Sequence, residues 1–186
     1  MAAPSQMFEN FLDPIKGWWD WNCVNYVAKK ASTISWDIPA GRVVSLNASG
    51  AFTTGIASSA MGMFLFQGSD ALDVTPPSGT TAAGTYVSTP ILPDGAMMAL
   101  VATGAYELST TAFDRSKTYA PNQYLTAIAD DATSTVGGVL TNVRNVGNDP
   151  IRPYQDPICG VVSKGRSANE YGVPTLEFWT VYMPGL

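Results

Sequence analysis

The side chains that could carry out chemistry in this chain are few, and its paired carboxylates are the main candidates. Asp70 lies three positions before Asp73, and Asp130 adjoins Asp131. Paired carboxylates can run acid–base hydrolysis, and an Asp-x-x-Asp pair can hold a hard cation such as calcium. All four residues lie in turn-like stretches, where Asp usually caps or turns the backbone, and the Asp70 spacing is not that of an established calcium loop. We therefore interpret both pairs as solvated turns.

Histidine is absent, and the only cysteines are Cys23 and Cys159. The absence of His excludes Ser-His-Asp and Cys-His nucleophile systems, and it removes the commonest metal ligand. Two distant cysteines cannot supply a zinc site of four thiolates, and buried free thiols are a better interpretation than a disulfide scaffold. Neither a phosphate-binding loop nor a dinucleotide fingerprint is present. We therefore expect a protein that is not an enzyme and that binds no cofactor and no metal.

Charged residues are scarce, at 13% of the chain, against roughly 25% in typical domains. A surface with so few charges is poorly protected against association, which indicates that much of it meets other protein. The net charge of −5 argues against a nucleic-acid partner, which would require a basic face. No apolar stretch is long enough to cross a membrane, and the first residues lack the pattern of a secretion signal.

The stretch 35–68 organises the rest of the sequence. A β-branched run at 42–46 is followed by the turn 47–50, because Asn and Gly tolerate the positive φ of a tight hairpin. Residues 51–54 form the returning strand, and the apolar run 63–66 has the pattern of a strand buried on both faces. Asn47-Ala48-Ser49 also fits a glycosylation acceptor, but without a secretion signal it is better interpreted as the hairpin turn.

The same pattern returns later in the chain. Residues 120–126 correspond to 39–45, and the run 158–165 matches 63–68 as an apolar stretch followed by a polar residue and Gly. This predicts two related β-units rather than a solenoid. Between the units, 96–108 is predicted to be one strand that continues through a bulge at Gly104. With a last strand at 175–184, about eight strands are predicted, which indicates an all-β fold: a small β-barrel or a β-sandwich, with a jelly roll as one form.

Residues 1–34 differ in composition from 35–186, which we assign to the β-barrel or β-sandwich domain. The first segment is predicted to be an N-terminal extended arm with a short helix near its start and a strand at 24–28. Its residues 8–21 carry five large aromatic side chains, and such residues are enriched at the centres of interfaces. Packing of these rings on the chain's own core is the alternative. We predict that they dock on another subunit; they are Phe8, Phe11, Trp18, Trp19 and Trp21.

Four stretches give the chain a resemblance to a known family. They are Ile38 to Gly50, Tyr119 to Thr126, Ile158 to Ser163 and Leu176 to Pro184. In their order of strands and turns they resemble the head decoration, or cement, proteins of tailed bacteriophages. The resemblance implies a virion protein on the outer surface of the capsid, which bridges major capsid subunits and stabilises the shell. It also implies self-association, with a trimer favoured and a dimer as the alternative, and it makes the capsid or a neighbouring copy the partner of the five aromatic residues at 8–21.

A second interpretation is a receptor-binding or carbohydrate-binding β-module of a phage tail or fibre. In that case Trp36, Tyr86 and Tyr154 would stack on sugar rings. A hydrolase that uses loop carboxylates is a third interpretation, which the lack of His and of catalytic spacing disfavours.

Overall fold

The computed structural model describes residues 12–16, 23–56, 62–67, 96–102, 106–128, 135–143, 157–168 and 172–181. Within these ranges the chain forms strands and no helix, which confirms the all-β prediction. The strands are β1 (Leu12–Lys16), β2 (Cys23–Lys29), β3 (Val43–Leu46), β4 (Phe52–Thr54), β5 (Met63–Gln67), β6 (Ala96–Ala102), β7 (Glu107–Thr110), β8 (Tyr124–Ala127), β9 (Leu140–Thr141), β10 (Gly160–Ala168) and β11 (Pro174–Thr180).

The strands form two sheets that pack as a β-sandwich. One sheet has six strands in the order β1-β7-β11-β10-β8-β9, and the other has five in the order β2-β6-β5-β3-β4. Neighbouring strands within both sheets run antiparallel. Strands that follow one another closely in sequence are thus joined by short turns, as at the hairpin between β3 and β4.

The two sheets are copies of one arrangement. If β1 is set aside, residues 23–102 (the first half) and 107–180 (the second half) place their five strands in the same order. Residues that oppose each other on neighbouring strands of the first half have counterparts that oppose each other in the second half. The pairs Val43↔Phe64, Phe64↔Leu100, Leu65↔Ala99 and Tyr26↔Ala99 correspond, in this order, to Tyr124↔Val161, Val161↔Trp179, Val162↔Phe178 and Leu108↔Phe178. A bulge follows Leu65 in the first half and Val162 in the second. The predicted pair of related β-units is confirmed and extends to both whole sheets.

The turns of the two halves correspond as well. Gly50 and Gly138 each lie one residue before the last residue of their hairpin connections, 47–51 and 128–139, with φ values of 73° and 74°. Gly50 N donates to Asn47 O, and Gly138 N donates to Ile128 O, both at 2.9 Å. A left-handed backbone at this position favours Gly, because any Cβ would strain it.

Each half has its own hydrophobic core. In the first half, Val44, Leu65 and Ala99 of the sheet are covered by Ile34 and Ile38 from the connection between β2 and β3. In the second half, the core joins buried side chains of β7, β8, β10 and β11, and its members include Leu108, Leu125, Val162, Leu176 and Phe178. Isolated bridges between Lys30 and Phe52 and between Phe113 and Leu140 draw the ends of each sheet together.

The first half is fixed to the second by apolar side chains and by backbone hydrogen bonds. Val43 and Phe64 belong to the core cluster of the second half, and the rings of Phe64 and Phe178 lie 5.4 Å apart between centroids. Val43 N donates to Gly138 O at 2.8 Å. Arg42 Nη1 donates to Gly137 O, also at 2.8 Å. The row of the first-half sheet that contains Val43 and Phe64 is therefore buried against the second half of the same chain.

One predicted strand is wrong. Residues 96–108 do not form a single strand across Gly104, because β6 pairs in the five-stranded sheet and β7 pairs in the six-stranded sheet. The chain passes from one half to the other between them. Gly104 itself lies outside the described residues.

The segment 1–34 contributes two edge strands. β1 pairs with β7, and β2 pairs with β6, as the predicted strand at 24–28 requires. The sequence prediction has no strand at β1, because Asp13-Pro14 reads as a stop signal. Pro14 is accommodated because an edge strand has one side without ladder hydrogen bonds, and the register shifts between Pro14 and Lys16. The predicted short helix falls outside the described residues.

Candidate interaction surface

A row of apolar side chains crosses the outer face of the six-stranded sheet. Tyr124 opposes Val161, and Val161 opposes Trp179; we call these three residues the outer row. Their sequence neighbours Leu125, Val162 and Phe178 lie in the second-half core. Side chains alternate between the two faces of a strand, so the outer row points away from that core. Tyr124 is 54% exposed, and Val161 and Trp179 are partly exposed.

The internal duplication shows what this face does in the other half. The counterparts of Tyr124 and Val161 are Val43 and Phe64, by the matching registers. Those two residues are buried against the second half. The same row is thus buried between the two halves of one chain on the first-half sheet, whereas on the second-half sheet it is partly or largely exposed.

Charged side chains border the outer row on β10 and β11. Lys164 Nζ lies 2.9 Å from Glu177 Oε2. The hydrogen bond and the charge of Glu177 raise the pKa of Lys164 above its ordinary value. Glu107, which opposes Trp179, is buried. Lys164 thus balances the charge of Glu177, and the side chain of Glu107 is buried. The outer row is therefore the apolar part of this face.

A second exposed apolar site lies on β2 at the edge of the five-stranded sheet. Tyr26 is 36% exposed and Val27 is 50% exposed. Tyr26 opposes Ala99 of the first-half core, whereas Val27 points to the other face. Both faces of this edge therefore present apolar surface.

The structure tests few of the site residues predicted from sequence. The aromatic residues Phe8, Phe11, Trp18, Trp19 and Trp21 lie outside the described residues, as do Tyr86, Tyr154 and the four aspartates considered for chemistry. Trp36 is described: it packs against the first-half core, and the guanidinium carbon of Arg42 lies 5.0 Å from its ring centroid. One face of this ring is therefore occupied by Arg42.

Two smaller predictions are confirmed. Cys159 is buried and takes part in no disulfide. Asn47 is a turn residue, because its Oδ1 accepts hydrogen bonds from Ser49 N and Ala51 N at 2.9 Å each.

The outer row was missed at the sequence level, although a signal for it exists. The alignment of 120–126 with 39–45 places Tyr124 at the position of Val43. The packing of the halves decides that the outward face of β8 is exposed while the equivalent face of β3 is buried. The local sequence pattern carries no information on this packing. A buried aliphatic residue replaced by a large aromatic one is the only hint.

The alkaline stability of the second half depends on Tyr119. Its hydroxyl donates to Asp114 O at 2.9 Å. Burial, and then the charge of Asp114, raise the pKa of Tyr119 from 10.0 to about 12. Because an unfolded Tyr ionises near pH 10, this stabilisation is complete below that pH and is lost as the pH rises towards 12.

We expect Tyr119→Phe to reduce this alkaline loss by about 1 kcal/mol between pH 8 and pH 11, because pH 11 lies only about one unit above the unfolded pKa and the ring is partly exposed. At neutral pH the same substitution should cost about 1 kcal/mol through the lost hydrogen bond. Urea unfolding at pH 8 and at pH 11 measures both effects. An equal loss of stability in both proteins between these pH values would contradict the assignment, and Tyr124→Phe is the exposed control.

Comparison with family models, with curated proteins and with solved structures finds no match to the chain. Within the described residues, no helix could span a membrane, and no group of three or more His, Cys, Asp or Glu side chains could hold a metal ion.

Proposed function

We propose that the chain is a non-enzymatic virion protein that decorates the capsid of a tailed bacteriophage. It binds the outer surface of the shell, bridges major capsid subunits and stabilises the shell against internal pressure. It also associates with further copies of itself. The proposal requires no catalytic centre, cofactor, nucleic acid or membrane.

The observation that carries the proposal is the outer row. Tyr124, Val161 and Trp179 form an apolar strip on a sheet, and the counterparts of Tyr124 and Val161 in the first half are buried against the other half of the chain. Aromatic side chains at such positions are typical anchors of protein interfaces. A strip on paired strands is also preorganised, so binding costs little conformational entropy.

The composition and the sequence resemblance support the same function. Only 13% of the residues are charged, which suits a protein whose surface is largely covered by neighbours. The four stretches that resemble cement proteins include β3, β8, the start of β10 and most of β11. On a repeating lattice, many moderate contacts add up through effective concentration.

The recognition module of a tail or fibre has less support. Of the three aromatic residues suggested to stack on sugars, Trp36 is described, and Arg42 covers one face of its ring. Its indole Nε1 is buried as well. We therefore prefer the capsid as the partner.

The proposed docking face is tested by Tyr124→Asp. A charge at the centre of an apolar interface should weaken binding to purified expanded shells by about 30-fold or more. Co-sedimentation of the full chain with shells measures this, and circular dichroism confirms that the variant is folded. Val136→Asp is the matched control, since Val136 is 47% exposed and lies in the turn beyond the other end of β8.

The result that would overturn the docking face is shell binding by Tyr124→Asp that equals that of the control. Failure of the unaltered chain to bind shells at all would overturn the function itself.

A further inference from the structure

We propose that β2 is a self-association edge, on which β2 of a second copy pairs antiparallel across a two-fold axis. The five-stranded sheets of two copies then join into one continuous sheet. This inference concerns contact between copies and does not depend on the capsid as a partner.

The internal duplication shows that this edge position accepts a strand. β2 and β7 are counterparts, and β7 carries β1 on its outer side. Leu108 and Ser109 of β7 are accordingly buried. Their counterparts on β2 are Tyr26 and Val27, by the matching registers. Both are exposed, and no described strand pairs with them on their outer side; β4 meets that side only beyond the end of β2, through the isolated bridge between Lys30 and Phe52.

The two sheet edges also differ in their protection against strand pairing. Natural edge strands are blunted by Pro, charges or bulges. β1 has all three, since it contains Asp13, Pro14 and Lys16 and its register shifts between the last two. β2 has seven consecutive pairs with β6, no bulge, no Pro, and no charge before Lys29. An edge strand of this length without such protection indicates that β2 pairs with another strand.

The occupant follows from the chemistry of the edge. A free ladder edge offers alternating N–H and C=O groups, which an extended strand satisfies. β2 suits β2 itself, because an isologous contact needs only one self-complementary patch. With the two-fold axis at Tyr26, the two Tyr26 residues oppose each other. The two Lys29 residues then lie at the two ends of the strand pair, each across from Cys23 of the other copy. The only charges of the strand are thus kept apart.

Charge reversal at the axis tests the proposal with the full chain. Sedimentation velocity over a range of concentrations should show the unaltered chain as a dimer, or as a larger assembly of an even number of copies. Tyr26→Glu and Tyr26→Lys should each weaken self-association by about tenfold or more, since like charges then oppose each other across the ladder. An equimolar mixture of the two variants should recover association, because the pair becomes Glu opposite Lys.

The matched control is the pair Val143→Glu and Val143→Lys, at an apolar residue of the second half that is 51% exposed. These variants should associate as the unaltered chain does, alone and mixed. A monomer at all concentrations, a trimer unaffected by charge at position 26, or no recovery in the mixture would each overturn the proposal. Loss of self-association in Tyr124→Asp, with the position 26 variants unaffected, would place the contact on the outer row instead.

Discussion

Replacing Gly138 with Ala is expected to destabilise the protein by about 4 kcal/mol, a large part of the stability of a typical domain. A Cβ at this position would lie 2.3 Å from the carbonyl oxygen of Val43 and 3.2 Å from Gly55 N. The backbone cannot easily move away, because Gly138 O accepts the hydrogen bond from Val43 N that joins the halves. The positive φ adds about 1–2 kcal/mol of strain for any residue with a Cβ.

The duplication supplies the control for this substitution. Gly50 has the same φ and the same turn hydrogen bond, but nothing lies within 4 Å of the Cβ position. Gly50→Ala should therefore cost only the backbone strain, about 1–2 kcal/mol. Urea unfolding of both variants gives the comparison. Equal losses in the two variants would mean that the contact between Gly138 and Val43 does not hold the halves together.

The second large effect is expected at the ring contact between the halves. Phe178 is fully buried and packs 5.4 Å from Phe64, measured between ring centroids. Phe178→Ala should cost about 3–5 kcal/mol, since it leaves a cavity in the second-half core next to the first half. Phe64→Ala should cost a similar amount, although its own sheet retains the separate first-half core.

A double-mutant cycle shows whether the two rings act together. The double variant should be less destabilised than the sum of the single variants by about 0.5–1.5 kcal/mol, because the ring pair is lost only once. Free energies of unfolding from urea titration provide the four corners, with intrinsic fluorescence and circular dichroism as separate probes. Strict additivity would contradict a direct contact between Phe64 and Phe178.

Sequence alone predicted the repeated part of the fold well, for a physical reason. Residues 39–45 and 120–126 share the turn, the strand start and the alternation of buried positions, and these depend on neighbours in sequence. Gly41 and Asn122 both adopt positive φ, and their N–H groups donate to Leu65 O and Val162 O respectively. Gly and Asn are the two residues most tolerant of that backbone, so the signal is local.

The features that the sequence did not predict are those that depend on which sheet a strand joins. The run 96–108 looks like one strand, because neither its composition nor its alternation records that β6 and β7 belong to different sheets. β1 was not predicted as a strand because it contains Pro14. Pro is acceptable there only because β1 lies at the edge of a sheet, which the local sequence does not show. About eight strands were expected and eleven are present in the described residues; short strands such as β9, with two residues, have almost no periodicity to detect.

The candidate interaction surface was likewise predicted only in part from the sequence. The scarcity of charge in the sequence predicted that protein would cover much of the surface, but it did not say where. The outer row is defined by packing, because Val43 and Tyr124 occupy equivalent positions and only the first is buried between the halves. The aromatic residues of 8–21 remain a prediction, since they lie outside the described residues.

The most direct test of the proposed function is the copy number of this chain in purified particles of its source, relative to the most abundant shell protein. Quantitative mass spectrometry with labelled peptides provides the ratio. A protein that decorates the head lattice should give a ratio on the order of one, because each repeating shell unit offers the same docking site. A ratio far below this would place the chain on a tail or a vertex, and complete absence from particles would contradict a structural role in the virion.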